Sequence, residues 1–298
     1  MTTKKLLISL IFIFFSNQIY SQTNNFYSSS NISSMLEKLD VFGKVLYIAA
    51  HPDDEVLGCG GTIARHVDKG DVVHILIVAE GSTSRQQQRD RSQAADELSA
   101  LAKASHAAAS ILGVAGVELL DLPDNRLDSL DRLDIIKRIE ERVDRHQPEC
   151  VYIHHAGDVN VDHRRLHEAV VTACRPTPGH SVRRLLSFEV ASSSEWQPPG
   201  SAPFFQPNWF VDISDQWPRK REALVVYASE MRPSPHPRSL EALEHLARWR
   251  GAQVGVEAMR DLGVRVGGLP GIPEVILPGC GVAWCRQFKW LRWFRSFR

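Results

Sequence analysis

From residue 44 onward, short apolar runs alternate with longer stretches of helical period. The run 45–50 predicts a buried first strand, and 60–69 a helix that stops at the Gly70-Asp71 turn. Val72–Ala79 predicts a second strand, the Ala-rich stretch 89–112 a long helix, and 117–120 a third strand. A helix over 132–144, a fourth strand at Cys150–His154, helix again to about Cys174 and a fifth strand over 184–190 follow. Strands and helices alternating in this way imply α/β architecture: a Rossmann-like, mostly parallel sheet with helices on both faces, in a single domain.

After 190 the pattern loosens. Residues 191–206 are rich in Ser and Pro and predict a long loop. A strand is expected over 210–213, and helices over 218–227 and 240–250. Past Ala258, Gly and Pro break the pattern. At the other end, Lys4 and Lys5 precede an apolar run over 6–15, and polar residues follow from Ser16. That is the order of an export signal, and the run is too short to span a bilayer comfortably. The expected organisation is a signal peptide at 1–21, a Ser/Asn-rich linker at 22–43, a folded domain at 44–258 and a tail at 259–298. It implies an exported or periplasmic protein, or a cytoplasmic one if Met35 is the true start.

Composition narrows the function classes. The 298 residues carry 35 Lys+Arg against 35 Asp+Glu, a formal net charge of zero, which gives no bulk attraction to nucleic acid. The tail is the exception: Arg286, Lys289, Arg292, Arg295 and Arg298 are interleaved with Phe288, Trp290, Trp293, Phe294 and Phe297. Weak contact with an anionic membrane surface is expected there, although a three-residue spacing does not keep the charges on one helix face. Five cysteines, an odd number in a chain this long, do not make a disulfide scaffold. Cys150 and Cys174 fall in apolar stretches and read as core residues. Nothing in the sequence excludes a homo-oligomer.

The chemistry concentrates at two strand ends. The first strand runs straight into His51-Pro52-Asp53-Asp54-Glu55, one imidazole and three carboxylates that would repel one another without a cation. The fourth ends in His154-His155-Ala156-Gly157-Asp158-Val159-Asn160-Val161-Asp162-His163. Open α/β sheets bind ligands at the carboxyl ends of their strands, so a reversal of strand order between these two strands brings the loops face to face. Two His and one carboxylate with an open fourth position form a typical hydrolytic zinc site. A solvated acidic helix start is the bland alternative for the first cluster. For His154 and His155 the expectation is one core and one surface residue, and His167, four after His163, is read as a helix-face residue.

Residues 50–55, with Gly58, Gly60 and Gly61 behind them, resemble the signature of the PIG-L/LmbE-like zinc N-deacetylases. The stretch 158–164 resembles that family's second motif, and 192–196, 235–239 and Arg250-Gly251 are similar to a bacterial branch. The resemblance covers about 46–258. It implies that His51, Asp54 and His163 bind Zn²⁺, that Asp53 is the general base, and that the substrate is an N-acetylated sugar or glycoconjugate. Members often carry a His three residues before the last ligand. Asn160 stands there in this chain as a substitute donor, with His236 or Arg238 as alternative positive groups. Asp162 is expected to orient a ligand from behind. Trp196, Glu195 and Arg238 are expected to contact the sugar, Trp196 through its flat ring.

Two rivals remain. The glycines suggest dinucleotide binding, but Asp53, Asp54 and Glu55 would repel a pyrophosphate. The other is a catalytically inactive carbohydrate-binding module of the same fold, for which Asn160 speaks.

Overall fold

The computed structural model describes residues 42–255 and the backbone of 260–268. The expected export signal at 1–21, residues 22–41 of the expected linker, and the tail from 269, with its basic aromatic residues, Cys280 and Cys285, lie outside the described residues.

Seven strands form one sheet in the order β3-β2-β1-β4-β5-β7-β6. They are β1 (Lys44–Ala49), β2 (Val72–Ala79), β3 (Gly116–Leu122), β4 (Cys150–His154), β5 (Arg184–Phe188), β6 (Trp209–Asp212) and β7 (Arg260–Gly268). The first five are parallel, whereas β7 runs antiparallel to both β5 and β6. Among the described residues six helices accompany them: α1 (Asp54–Asp68), α2 (Ala95–Leu112), α3 (Arg132–His146), α4 (Val161–Ala173), α5 (Trp217–Val226) and α6 (Leu240–Ala252).

Alternation along the strands builds the two helical layers. Leu46, Ile48 and Ala50, with Leu76, Val78, Val151 and Ile153, form one buried cluster with Ile135, Ile139 and Val143 of α3 and Leu166 and Val170 of α4. On the other face Tyr47 stacks on Tyr152, ring centroids 4.4 Å apart, and the Tyr152 hydroxyl lies 3.0 Å from Nε2 of His66 on α1. Both faces of β1 are thus buried, which is why it reads as a continuous apolar run.

Strand order reverses where β1 pairs with both β2 and β4, with Val45 opposite Cys150 and Tyr47 opposite Tyr152. The two chemical loops therefore leave neighbouring strands on the same edge. Cys59, Cys150 and Cys174 are buried, and burial pushes the Cys174 thiol up to about 12.

Three expectations shift. The helix expected from 89 begins at Ala95, because Arg89 is drawn away to Glu80, with Nε 2.6 Å from Oε1 and Nη2 2.9 Å from Oε2. The long loop at 191–206 contains one short helical turn at Ser194–Trp196. The sheet does not end by 258: β7 lies beyond it, inserted between β5 and β6. Its glycines, Gly263, Gly267 and Gly268, weaken any strand pattern, and ladders on both sides, to β5 and β6, hold it in the sheet.

The glycine cluster has a packing explanation. A Cβ at Gly58 would stand 2.5 Å from Cδ2 of Phe188, and one at Gly61 2.5 Å from Cδ1 and 2.8 Å from Cβ of Ile213. Helix α1 reaches these neighbours because the side chains are missing, with no phosphate required. Gly61→Ala should overpack this contact and cost about 1–3 kcal/mol, in excess of the helix propensity gained. A urea midpoint equal to that of the native protein would contradict this reading.

Candidate metal centre and active site

Helix α1 starts inside the first motif, with Asp54 and Glu55 in its first turn. The helix dipole favours carboxylates there, but both are buried, so this is no solvated acidic turn. Asp53 caps the helix with φ 112° and ψ −31°, a backbone that costs an L residue about 1–3 kcal/mol. Its carbonyl accepts from the N–H groups of Val56 and Leu57 at 3.0 and 2.9 Å, and its own N–H donates to Glu55 Oε2 at 3.1 Å. The distortion separates two adjacent carboxylates: Asp54 meets histidines, while Asp53 meets Arg238.

Asp54 Oδ2 lies 3.2 Å from His51 Nδ1 and 3.1 Å from His163 Nε2, and it accepts from the His51 N–H at 2.9 Å. His51, Asp54 and His163 each bring a ligand atom within 4.8 Å of the others. The other carboxylate oxygen, Asp54 Oδ1, is buried and without a hydrogen-bond partner among the described residues. A buried anionic oxygen left bare is costly, and two imidazole nitrogens turned toward the same group make its complement a cation. The N₂O donor set fits a divalent metal of the zinc type.

Each histidine is braced from behind, as metal-binding imidazoles commonly are. His163 Nδ1 lies 3.2 Å from Asp158 Oδ1. His51 Nε2 lies 3.1 Å from Asp162 Oδ2 and 3.2 Å from Asp124 Oδ1. Asp162 is held by the N–H groups of Asn125 and Leu127 at 2.7 and 2.9 Å. Asp124 and Asp158 were not singled out from the sequence. The available signal was position: Asp124 follows β3 on the same sheet edge, and Asp158 opens the second motif.

His154 and His155 are both buried, so the expected split into one core and one surface residue is corrected. His154 stacks on His163 at 3.8 Å, and its Nε2 accepts from the Ala50 N–H at 2.8 Å. His155 is covered because its Nε2 sits 2.8 Å from the Pro203 carbonyl. His167 Nδ1 turns to the His154 carbonyl at 2.8 Å and is not among the grouped ligand residues.

Other expected site residues have structural partners. Asn160 caps α4: its Oδ1 accepts from the Asp162 N–H at 2.8 Å and its Nδ2 donates to Asn125 at 3.0 Å. Arg238 Nη1 donates to Asp53 Oδ2 at 2.8 Å and its Nε to Ser192 Oγ at 2.7 Å. Its N–H donates to His236 Nδ1 at 3.1 Å, which leaves the proton of the neutral ring on Nε2. Glu195 folds back onto the N–H groups of Ser192 and Ser193, while Trp196 is 53% exposed and meets the His236 ring edge-on at 5.8 Å.

The charged groups of the site act strongly on one another. Burial disfavours a charged His163, but Asp54 and Asp158 overcome it and raise the imidazole to about 9. Burial opposes His51 too, yet the bonds to Asp124, Asp162 and Asp54 hold it well above its usual range. Asp54 is held well below the usual carboxylate range, burial being outweighed by His163 and His51. Burial raises Asp53, with Arg238 acting against it, and burial lifts Glu55 to about 7 despite the bond from Tyr227.

Fold and site together define an α/β protein whose switch-point crevice holds a braced histidine–carboxylate cluster suited to a divalent cation. The chain is similar to the PIG-L/LmbE-like deacetylases: residues 46–174 match the family described as PIG-L, GlcNAc-PI de-N-acetylase. Diacetylchitobiose deacetylase of Thermococcus kodakarensis is 29% identical over 235 residues, 71% of this chain and 81% of its own. 4-Oxalmesaconate hydratase of Pseudomonas putida is 27% identical over 240 residues, 74% of this chain and 82% of its own. The solved structure of a conserved protein from Thermus thermophilus matches at a TM-score of 0.59 and 25% identity, over 78% of this chain and 99% of that one.

A histidine that the fold keeps protonated stabilises it fully below the ordinary pKa of 6.5, and this is lost as pH rises through about 9. The raised Glu55 acts in the same direction. The cation-free protein should therefore melt at progressively lower temperature from pH 6.5 to 9.5. Zn²⁺ should displace these protons, so calorimetry at pH 7 in buffers of different ionisation enthalpy should register proton release. A flat melting profile in EDTA, or no proton release, would contradict the assignment.

Proposed function

We propose that the protein is a zinc-dependent N-deacetylase that removes the acetyl group from an N-acetylated amino sugar or glycoconjugate. The observation that carries this reading is the separation of Asp54, facing His51 and His163 with one bare oxygen, from Asp53, facing Arg238. One carboxylate is placed to bind a cation, its neighbour to handle protons.

An acetamide resists hydrolysis because resonance weakens the carbonyl as an electrophile and the amine leaves poorly. Zn²⁺ held by His51, Asp54 and His163 supplies, when bound, Lewis acidity toward the carbonyl and toward water. Asp53 takes a proton from the attacking water and returns it to the departing nitrogen. Arg238 engages one Asp53 oxygen and leaves the other for that proton. The Nε2–H of His236 is a donor for the developing oxyanion. Trp196 offers a flat apolar face to a pyranose ring.

The hydratase relative supports a second reading, in which the site adds water to its substrate instead of splitting an amide. Acetate release from a panel of N-acetylated sugars by the zinc-loaded protein separates the two. Turnover of any kind also excludes the inactive binding module.

Asp53→Asn should keep near-normal zinc content and KM yet lose about 10²–10⁴-fold in kcat. Asp54→Asn should lose zinc and activity together. Metal analysis and steady-state kinetics on the two variants decide this, and loss of zinc from the first with retention in the second would reverse the roles. Trp196→Ala should raise KM several-fold with little change in melting temperature, because the side chain is largely in solvent. A large fall in melting temperature at unchanged KM would instead make Trp196 a packing residue.

A further inference from the structure

The loop that presents Trp196 is tied directly to the group behind His163. Asp158 Oδ1, the oxygen facing His163 Nδ1, also accepts from the Ser193 hydroxyl and from the Asn160 N–H, the latter at 2.9 Å. Its other oxygen accepts from the Ser194 hydroxyl at 2.6 Å. That hydroxyl in turn accepts from the Val190 N–H at 2.9 Å, just past the end of β5. Ser193 Oγ is itself 3.5 Å from His163 Nδ1. Ser193, Ser194, Asp158 and His163 are all buried.

Both serine hydroxyls face inward, onto Asp158. A carboxylate with few partners can rotate. One bonded through both oxygens to two loops has a set orientation, and so does the imidazole bonded to it. The Ser193-Ser194 pair lies two to three residues before Trp196, so the substrate loop and the brace of His163 form one hydrogen-bonded unit.

We propose that Ser193 and Ser194 are positioning residues for the cation site, orienting His163 through Asp158. This rests on the reading of His163 as a metal ligand. If the hydroxyls served only to hold the loop, removing them would raise KM and leave cation binding alone. If they orient His163, removing them weakens cation binding in the absence of any substrate.

The test is Zn²⁺ titration against a competing chelator, with Co²⁺ visible spectra as a second readout, on the full-length apo protein. The variants are the S193A/S194A double, Asp158→Asn, Ser193→Ala, Ser193→Thr and Asp54→Asn. The double variant and Asp158→Asn should bind Zn²⁺ about 10–100-fold more weakly and shift the Co²⁺ band. Ser193→Thr, which keeps the hydroxyl, should bind as the native protein does, whereas Ser193→Ala should not. This single-site pair decides the matter even if the double variant does not fold. Native affinity and spectrum in the serine variants, with Asp54→Asn depleted of zinc, would overturn this inference alone. Native affinity in Asp54→Asn would overturn the site reading and this inference with it.

Discussion

The structure turns on a carboxylate that is buried with one oxygen bare. Asp54 sits at the start of α1, fully enclosed, between two imidazoles and without a partner for Oδ1 among the described residues. Burying an ion is costly unless an opposite charge and hydrogen bonds compensate for it. The surrounding architecture supplies that compensation. The helix start favours negative charge, His51 and His163 converge from adjacent strands, and Asp158, Asp162 and Asp124 stand behind the two rings. In the cation-free protein, protons on the histidines balance the carboxylates. A divalent cation held there would serve the same purpose at neutral pH and would supply Lewis acidity to the proposed reaction.

The same constraint explains the strained backbone at Asp53. Two consecutive carboxylates of one chemical type can take different roles only if their environments differ. The positive-φ turn at Asp53, held by its hydrogen bonds to Glu55, Val56 and Leu57, gives its side chain to Arg238 and that of Asp54 to the histidines. Arg238 also reaches Ser192, so Asp53 shares a partner with the loop that follows β5. The residues proposed for proton handling, cation binding and substrate contact thus lie largely on loops from β1, β4 and β5 that meet at one sheet edge.

The histidines and carboxylates of both motifs were legible because their residue types were concentrated where strands end. The same logic missed Asp124, a lone acidic residue in an ordinary loop, whose value lies only in its 3.2 Å approach to His51. It also assigned Asn160 to catalysis by position within a motif, whereas the side chain caps α4. Glu195 was expected at the sugar from the family resemblance, and its carboxylate accepts from the N–H groups of its own loop. Polar side chains near a site have backbone groups to satisfy as well as ligands, and sequence spacing does not reveal which demand prevails.

By itself the sequence determined the alternation of strand and helix, the burial of β1 and β4, and the placement of both chemical clusters at carboxyl ends of strands. Those properties follow from local periodicity and composition, which act over a few residues. Only the tertiary structure decided that β1 and β4 are neighbours, that β7 fills the gap between β5 and β6, and that Arg238 reaches Asp53 across 185 positions of chain. Pairings of that range depend on the packing of whole layers against each other. No short window of residues contains that information.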